Sequence, residues 1–112
     1  MVFYEEDDES PIEDFLRGLP TKKVRKKVWK FILLLEERGY EMPSAYAKHL
    51  TGYPLYELII DFQNDTYRIF YFFEGRLIVL LHGFIKKTYE TPRAEIDLAL
   101  RRMEKWKSAK EC

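Results

Sequence analysis

The residues able to do chemistry in this chain are cations, one well-placed imidazole and several phenols. Arg68 lies among aromatics in Tyr67-Arg68-Ile69-Phe70-Tyr71-Phe72, where a guanidinium can hold a phosphate while a base stacks beside it. The same side chain can instead pair with an acid on a neighbouring strand, Glu57 or Asp61. His82 ends an apolar run, and its ordinary pKa near ~6.5 suits proton transfer, although a histidine there also serves as a hydrogen-bonded spacer. Lys86-Lys87-Thr88 follows, in a segment of the kind that carries function on a rigid scaffold or is merely solvated. Lys48 and His49 precede the same group of strands and could reach the same mouth. Tyr89 either stacks on a ligand or packs beneath the loop, and strict alternation puts Arg76 on the face of His82. Metal chemistry is not expected, because Cys112 is the only cysteine and there are two histidines.

Positioning these groups requires the elements that the pattern encodes. Val2-Phe3-Tyr4 reads as a short edge strand. Ser10-Pro11-Ile12-Glu13 has the cap, first-turn proline and capping-box acid of a helix start, with Ile12, Phe15, Leu16 and Leu19 at helical spacing. A second helix begins after Thr21, carries Val24, Val28, Phe31, Ile32 and Leu35 on one stripe, and ends at Gly39. Residues 40–54 read mostly as loop. Three strands follow, Leu55 to Phe62, Thr66 to Phe73 and Leu77 to Phe84, separated by short polar turns that fit an antiparallel meander. Phe84 to Thr91 reads as a polar loop, and Thr91-Pro92 opens a last helix with Ile96, Ala99, Leu100, Met103 and Trp106 facing the core. The order β-α-α-β-β-β-α predicts an α+β fold, an antiparallel sheet covered on one face by helices. Tyr67, Ile69, Tyr71 and Phe73 share one side of the middle strand and Arg68, Phe70 and Phe72 the other, so both faces are apolar enough to bury and the second calls for a partner.

Length and composition bound the rest. The 112 residues, 46% of them hydrophobic and 16% aromatic, suit a single domain over 1–112 and exclude a disordered chain. No window is apolar enough for a membrane span, and the N-terminus turns acidic where a signal peptide would need basic and then apolar residues. With a lone terminal cysteine, the expected location is the reducing cytoplasm. Zero net charge argues at first against a polyanionic partner, since affinity for one comes from neutralising phosphates. Residues 1–20, however, carry a net −6 and residues 21–112 a net +6, and local charge decides where an anion binds.

Six segments, taken together and in order, resemble a known family: Lys48-His49-Leu50, Leu55-Tyr56-Glu57-Leu58, Tyr67 to Phe72, Leu80-Leu81-His82-Gly83-Phe84, Lys86-Lys87-Thr88 and Thr91 to Ile96. They are similar to the phage-derived HigB-like branch of the RelE/ParE toxin superfamily, over nearly the whole chain. The resemblance implies a RelE-like fold and a toxin of a type II toxin-antitoxin pair: a metal-independent, cofactor-free endoribonuclease that cuts mRNA, typically on the ribosome, until a helix-turn-helix antitoxin blocks it. Carried over by position, it makes Arg68 the catalytic arginine that would steady the phosphate and Lys86 and Lys87 basic groups supplied from the loop, Lys87 to catalysis and Lys86 to RNA binding. His82 is the catalytic proton-transfer candidate by its pKa and not by the resemblance, and Lys48, Arg76 and Tyr89 are read from their placement as RNA-binding residues. One departure stands out. Relatives usually follow Leu-Tyr-Glu-Leu with a basic residue, whereas here Leu58 is followed by Ile59. A non-catalytic inhibitor of DNA gyrase, as in the ParE branch, and a detoxified antitoxin-binding module are therefore the alternatives.

Overall fold

Local signals fix most of the element ends. The Ser10 hydroxyl accepts the Glu13 N–H (3.3 Å) to start α1 (Pro11–Arg17), and the Thr21 hydroxyl accepts the Val24 N–H (3.2 Å) to start α2 (Lys22–Arg38). Gly39 closes α2 at φ 54°, a left-handed conformation that a side chain would disfavour. The computed structural model describes residues 1–111; Cys112, on which the expectation of a reducing compartment rests, lies outside the described residues. A two-residue strand β1 (Val2–Phe3) precedes α1, and a 3-10 turn (Gly39–Glu41) follows α2. The remaining strands are β2 (Ala47–His49), β3 (Tyr56–Phe62), β4 (Asp65–Glu74) and β5 (Leu77–Lys86), and the last element among the described residues is α3 (Arg93–Glu111). Two of these differ from expectation: β2 lies in a stretch read as loop, and β5 runs on through Lys86. No helix among the described residues is long and apolar enough to cross a membrane.

The five strands form one sheet in the order β1-β5-β4-β3-β2. All neighbours are antiparallel except β1, which lies parallel to β5 through Val2↔Val79 and Phe3↔Leu80. The α+β class holds and is consistent with a RelE-like fold. Three features differ from expectation: β2 adds a strand to the order, the parallel β1 makes the sheet mixed, and the helices take both faces of the sheet. Val24, Val28, Ile32 and Leu35 of α2, with Ile12 of α1, pack on Leu58, Ile60, Tyr67, Ile69, Ile78 and Leu80. Ile96, Ala99 and Met103 of α3 pack on Phe70, Phe72, Val79, Leu81 and Phe84. The partner demanded by the second apolar face is thus the chain's own last helix, which the six residues between β5 and α3 bring back across the sheet.

Alternation along β5 is broken once. Phe70 pairs with His82 and Tyr71 with Leu80, so Leu81 is an extra residue and forms a β-bulge. Beyond the bulge, Gly83 faces α1. A Cβ there would lie 2.4 Å from Cδ2 of Phe15, so the ring seats directly on the glycine backbone. Gly83→Ala forces that ring aside, and by the usual penalty for overpacking should cost about 1–3 kcal/mol, visible as a lower urea midpoint at unchanged slope.

Candidate functional site

Strand register places the candidate residues. Residues directly paired across a sheet share a face, and every second residue along a strand returns to it. Lys48, Glu57, Phe70 and His82 therefore form one row across β2 to β5 on the α3 side. The next row is Ile59, Arg68 and Phe84, and the one after it is Asp61, Thr66 and Lys86. Arg68 sits in the middle of this grid. From strand spacing and rise, the backbone of Lys48 lies about 12 Å from that of Arg68 on one side and the backbone of Lys86 about 8 Å on the other.

Arg68 is not a free surface arginine. Its Nη1 lies 2.9 Å from Oε1 of Glu57, with side-chain exposures of 13% and 2%. Of the two partners that the sequence left open, the structure selects Glu57, which lies diagonally across β3 on the same face; Asp61 instead accepts from the Thr66 hydroxyl at 2.9 Å. The ion pair rests on a single contact and leaves Oε2 of Glu57 and Nε of Arg68 buried without hydrogen-bond partners. Such a pair holds the guanidinium in place, and its remaining N–H groups are the donors with which it can meet an anion. Ile59, which stands where a basic residue is usual in the resembling branch, is the direct cross-strand neighbour of Arg68 and is 8% exposed.

His82 reaches the Arg68 face only through the Leu81 bulge, since strict alternation would turn it towards α1 and α2. Its ring stacks on Phe84 (centroids 5.5 Å apart) and lies under α3. Nδ1 is 3.2 Å from Nη1 of Arg102, and Nε2 is 3.1 Å from Oε1 of Glu95. A guanidinium only donates, so Nδ1 accepts and the proton sits on Nε2, donated to Glu95. Arg102 also donates to the Leu81 carbonyl at 2.9 Å, so the bulge, the imidazole and α3 are tied together. Both ring nitrogens are therefore engaged, and His82 can exchange a proton with a ligand only after releasing Glu95 or Arg102.

Burial pushes the His82 pKa below its ordinary value, the Glu95 hydrogen bond and charge oppose that shift, and Arg102 adds to it. Between the ordinary pKa and the lowered one, the unfolded chain binds more protons than the folded one, so stability falls as pH falls through that window. Urea midpoints measured from pH 7.5 down to 5 should thus decline below about 6.5, and His82→Gln should flatten that part of the decline. An unchanged slope in the variant would mean that other groups cause it.

The other expected site residues are dispersed. Lys87 is exposed just past the end of β5, and Tyr89, 97% exposed, lies in the loop before α3. Arg76 lies in the β4–β5 turn at the opposite end of the hairpin, roughly 20 Å from the Arg68 row by strand rise, and lines a hollow with Tyr40, Phe73 and Ile78. It is not brought together with Arg68. Glu95 and Arg102, which the sequence reading missed as partners of His82, are seven apart on α3 and flank its apolar stripe, a spacing that would have marked them as one face.

The acidic N-terminal corner packs as a tight turn. Glu6 and Glu9 exchange backbone hydrogen bonds across Asp7 and Asp8, both at positive φ. Glu6 accepts from Lys105 of α3 at 2.8 Å and from the Tyr4 hydroxyl at 2.7 Å, which keeps its carboxyl below the usual range and helps to hold α3 on the sheet.

Comparison with known proteins supplies one positive finding. No curated protein matches this chain. Residues 14–104, from α1 to the middle of α3 and including every candidate residue above, match the family described as phage-derived protein Gp49-like. The chain belongs to the phage-derived Gp49-like family, a toxin-like family of the RelE/ParE type.

Proposed function

We propose that this protein is the toxin of a type II toxin-antitoxin pair, of the HigB-like branch, and that it acts as a metal-independent endoribonuclease on mRNA at the ribosome until a helix-turn-helix antitoxin binds it. The observation that carries the reading is the placement of Arg68. Glu57 holds it fixed at the centre of one sheet face, with Lys48 and Lys86 on either side. In such a reaction the ribose 2′-OH loses its proton and its oxygen attacks the adjacent phosphorus; the P–O5′ bond breaks, the 5′-oxygen takes up a proton, and a 2′,3′-cyclic phosphate remains. The extra negative charge at phosphorus needs fixed cations, which is the part Arg68, Lys86 and Lys87 play. His82 takes up a proton at Nδ1 only when Arg102 releases it and gives one from Nε2 only when its bond to Glu95 opens, Lys48 tracks the RNA backbone, and Tyr89 stacks on a base. Arg76 stands outside this centre and contacts, at most, a distant stretch of RNA.

Expression without antitoxin should arrest growth and accumulate mRNA fragments ending in 2′,3′-cyclic phosphate. Arg68→Lys keeps a cation beside Glu57 but loses the planar fork, and should lower cleavage by about 100-fold with little change in melting temperature. Ile59 favours a second reading, a gyrase inhibitor without catalysis, because it leaves an apolar side chain beside Arg68. Growth arrest with intact mRNA and blocked supercoiling would select that reading.

A further inference from the structure

The face of α2 turned away from the sheet carries an apolar stripe within a basic field. Trp29 and Leu33, one turn apart, are 44% and 48% exposed, the exposed large hydrophobic residues of the α-helices among the described residues. With Lys26, Lys30, Leu34 and Glu37 they line a groove of about 420 Å³. Its walls are two parallel ridges of α2 itself, Lys26-Lys30-Leu34 and Trp29-Leu33-Glu37, each advancing by four residues. A groove between such ridges is the shape that receives a ridge of side chains from another helix.

Charge narrows the occupant. Lys22, Lys23, Lys26 and Lys30 are exposed and make no ion pair among the described residues, whereas Lys27 is spent on the Asp61 carbonyl (2.6 Å) and the Phe62 ring. Lys22 and Lys23 lie in the first turn of α2, which has no acid, at the positive end of the helix dipole, and Lys22, Lys26 and Lys30 are like charges spaced four residues apart. Their arrangement works against the isolated helix, and acids supplied from outside would relieve it. Leu33 cannot stack on a base, which turns the stripe away from nucleic acid and towards an aliphatic partner. We propose that this groove docks an acidic amphipathic helix of a partner protein, with apolar anchors at i, i+3, i+4 and i+7 laid between Trp29 and Leu33 and carboxylates over Lys22, Lys23, Lys26 and Lys30. Because α2 covers the sheet face opposite Arg68, the partner can hold the protein without covering the Arg68 face. The inference stands whether or not the protein cleaves RNA.

The test uses the full chain with Trp106→Phe, which leaves Trp29 as the only indole. A synthetic 16-residue helix with leucines at those spacings and glutamates elsewhere is titrated in, beside the same peptide with lysine for glutamate and a single-stranded oligoribonucleotide. The acidic helix should shift Trp29 emission to the blue saturably, and Leu33→Glu or the double change Lys26→Glu/Lys30→Glu should weaken binding at least tenfold. These positions are exposed, so the variants should keep the parent's circular dichroism and melting temperature. The proposal is overturned if the basic peptide binds equally well, if the variants bind as tightly as the parent, or if no shift occurs. It is equally overturned if only the oligoribonucleotide changes the emission, or if sedimentation shows a dimer that Leu33→Glu dissolves, for then the occupant is RNA or a second copy.

Discussion

Arg68→Ala is expected to destabilise the protein by about 3–5 kcal/mol, because it strands the Glu57 carboxylate in the sheet without its cation. That is a large part of the 5–15 kcal/mol typical of a domain, so the melting temperature should drop by on the order of 10–20 °C. The effect follows from burial. Glu57 is 2% exposed, its Oε2 already lacks a partner, and the pair rests on one 2.9 Å contact. Removing both charges is a different matter. Glu57→Leu/Arg68→Met fills the same space with apolar atoms and should recover most of the loss, since a buried ion pair contributes little over a well-packed apolar one. Thermal melts of the two singles and the double form a cycle that measures the coupling directly. If Arg68→Ala alone melts within a few degrees of the parent, Glu57 is not stranded and the pair does not fix Arg68. The consequence for function is practical. Loss of toxicity in Arg68→Ala would report unfolding as readily as lost phosphate binding, so Arg68→Lys and the double variant are the informative ones.

Ile59→Arg should raise RNA cleavage by about 10²–10³-fold, the effect of supplying one fixed donor where charge develops in the transition state. Position 59 is the direct neighbour of Arg68 on β4 and lies two residues from Glu57 along β3, on the same face. A guanidinium there can donate to the unpartnered Oε2 of Glu57, which would then bridge two arginines and hold both towards the RNA. The substitution replaces a side chain that is 8% exposed, so some stability is lost, and cleavage should be measured at a temperature where circular dichroism shows the variant folded. Cleavage equal to the parent in a folded variant would mean that position 59 is not beside the scissile phosphate. A gain that disappears in Ile59→Arg/Glu57→Gln would show that the carboxylate orients the new cation.

Much of the fold was legible because its signals are local. Ser10 and Thr21 cap the helices as read, Gly39 ends α2, and the alternation of Tyr67, Ile69 and Tyr71 against Arg68, Phe70 and Phe72 matches the two packed faces. Where the local signal is weak, the sequence does not announce the element. Ala47–His49 is a strand because β3 offers it an edge, with Lys48 opposite Glu57, and three residues carry no periodicity of their own. Helix α3 starts at Arg93, one residue past the proline expected to open it.

The candidate site divides the same way. Residue types, the order of elements and the pairing options of Arg68 are properties of the sequence, and from them Arg68, Lys48, Lys86, Lys87 and Tyr89 are candidates and no more. Arg76 could be separated from them only once the hairpin's length was laid out in space. The sequence by itself determined that there would be two apolar sheet faces, an acidic corner and a basic remainder, since these depend on period and composition. Tertiary structure alone decided that α3 would close the second face, that Leu81 would bulge and turn His82 onto the side of Arg68, and that Glu57 rather than Asp61 would hold the arginine. Each of those outcomes depends on register between segments distant in the chain. Register is set by how whole faces pack, and a single extra residue reverses every side chain beyond it.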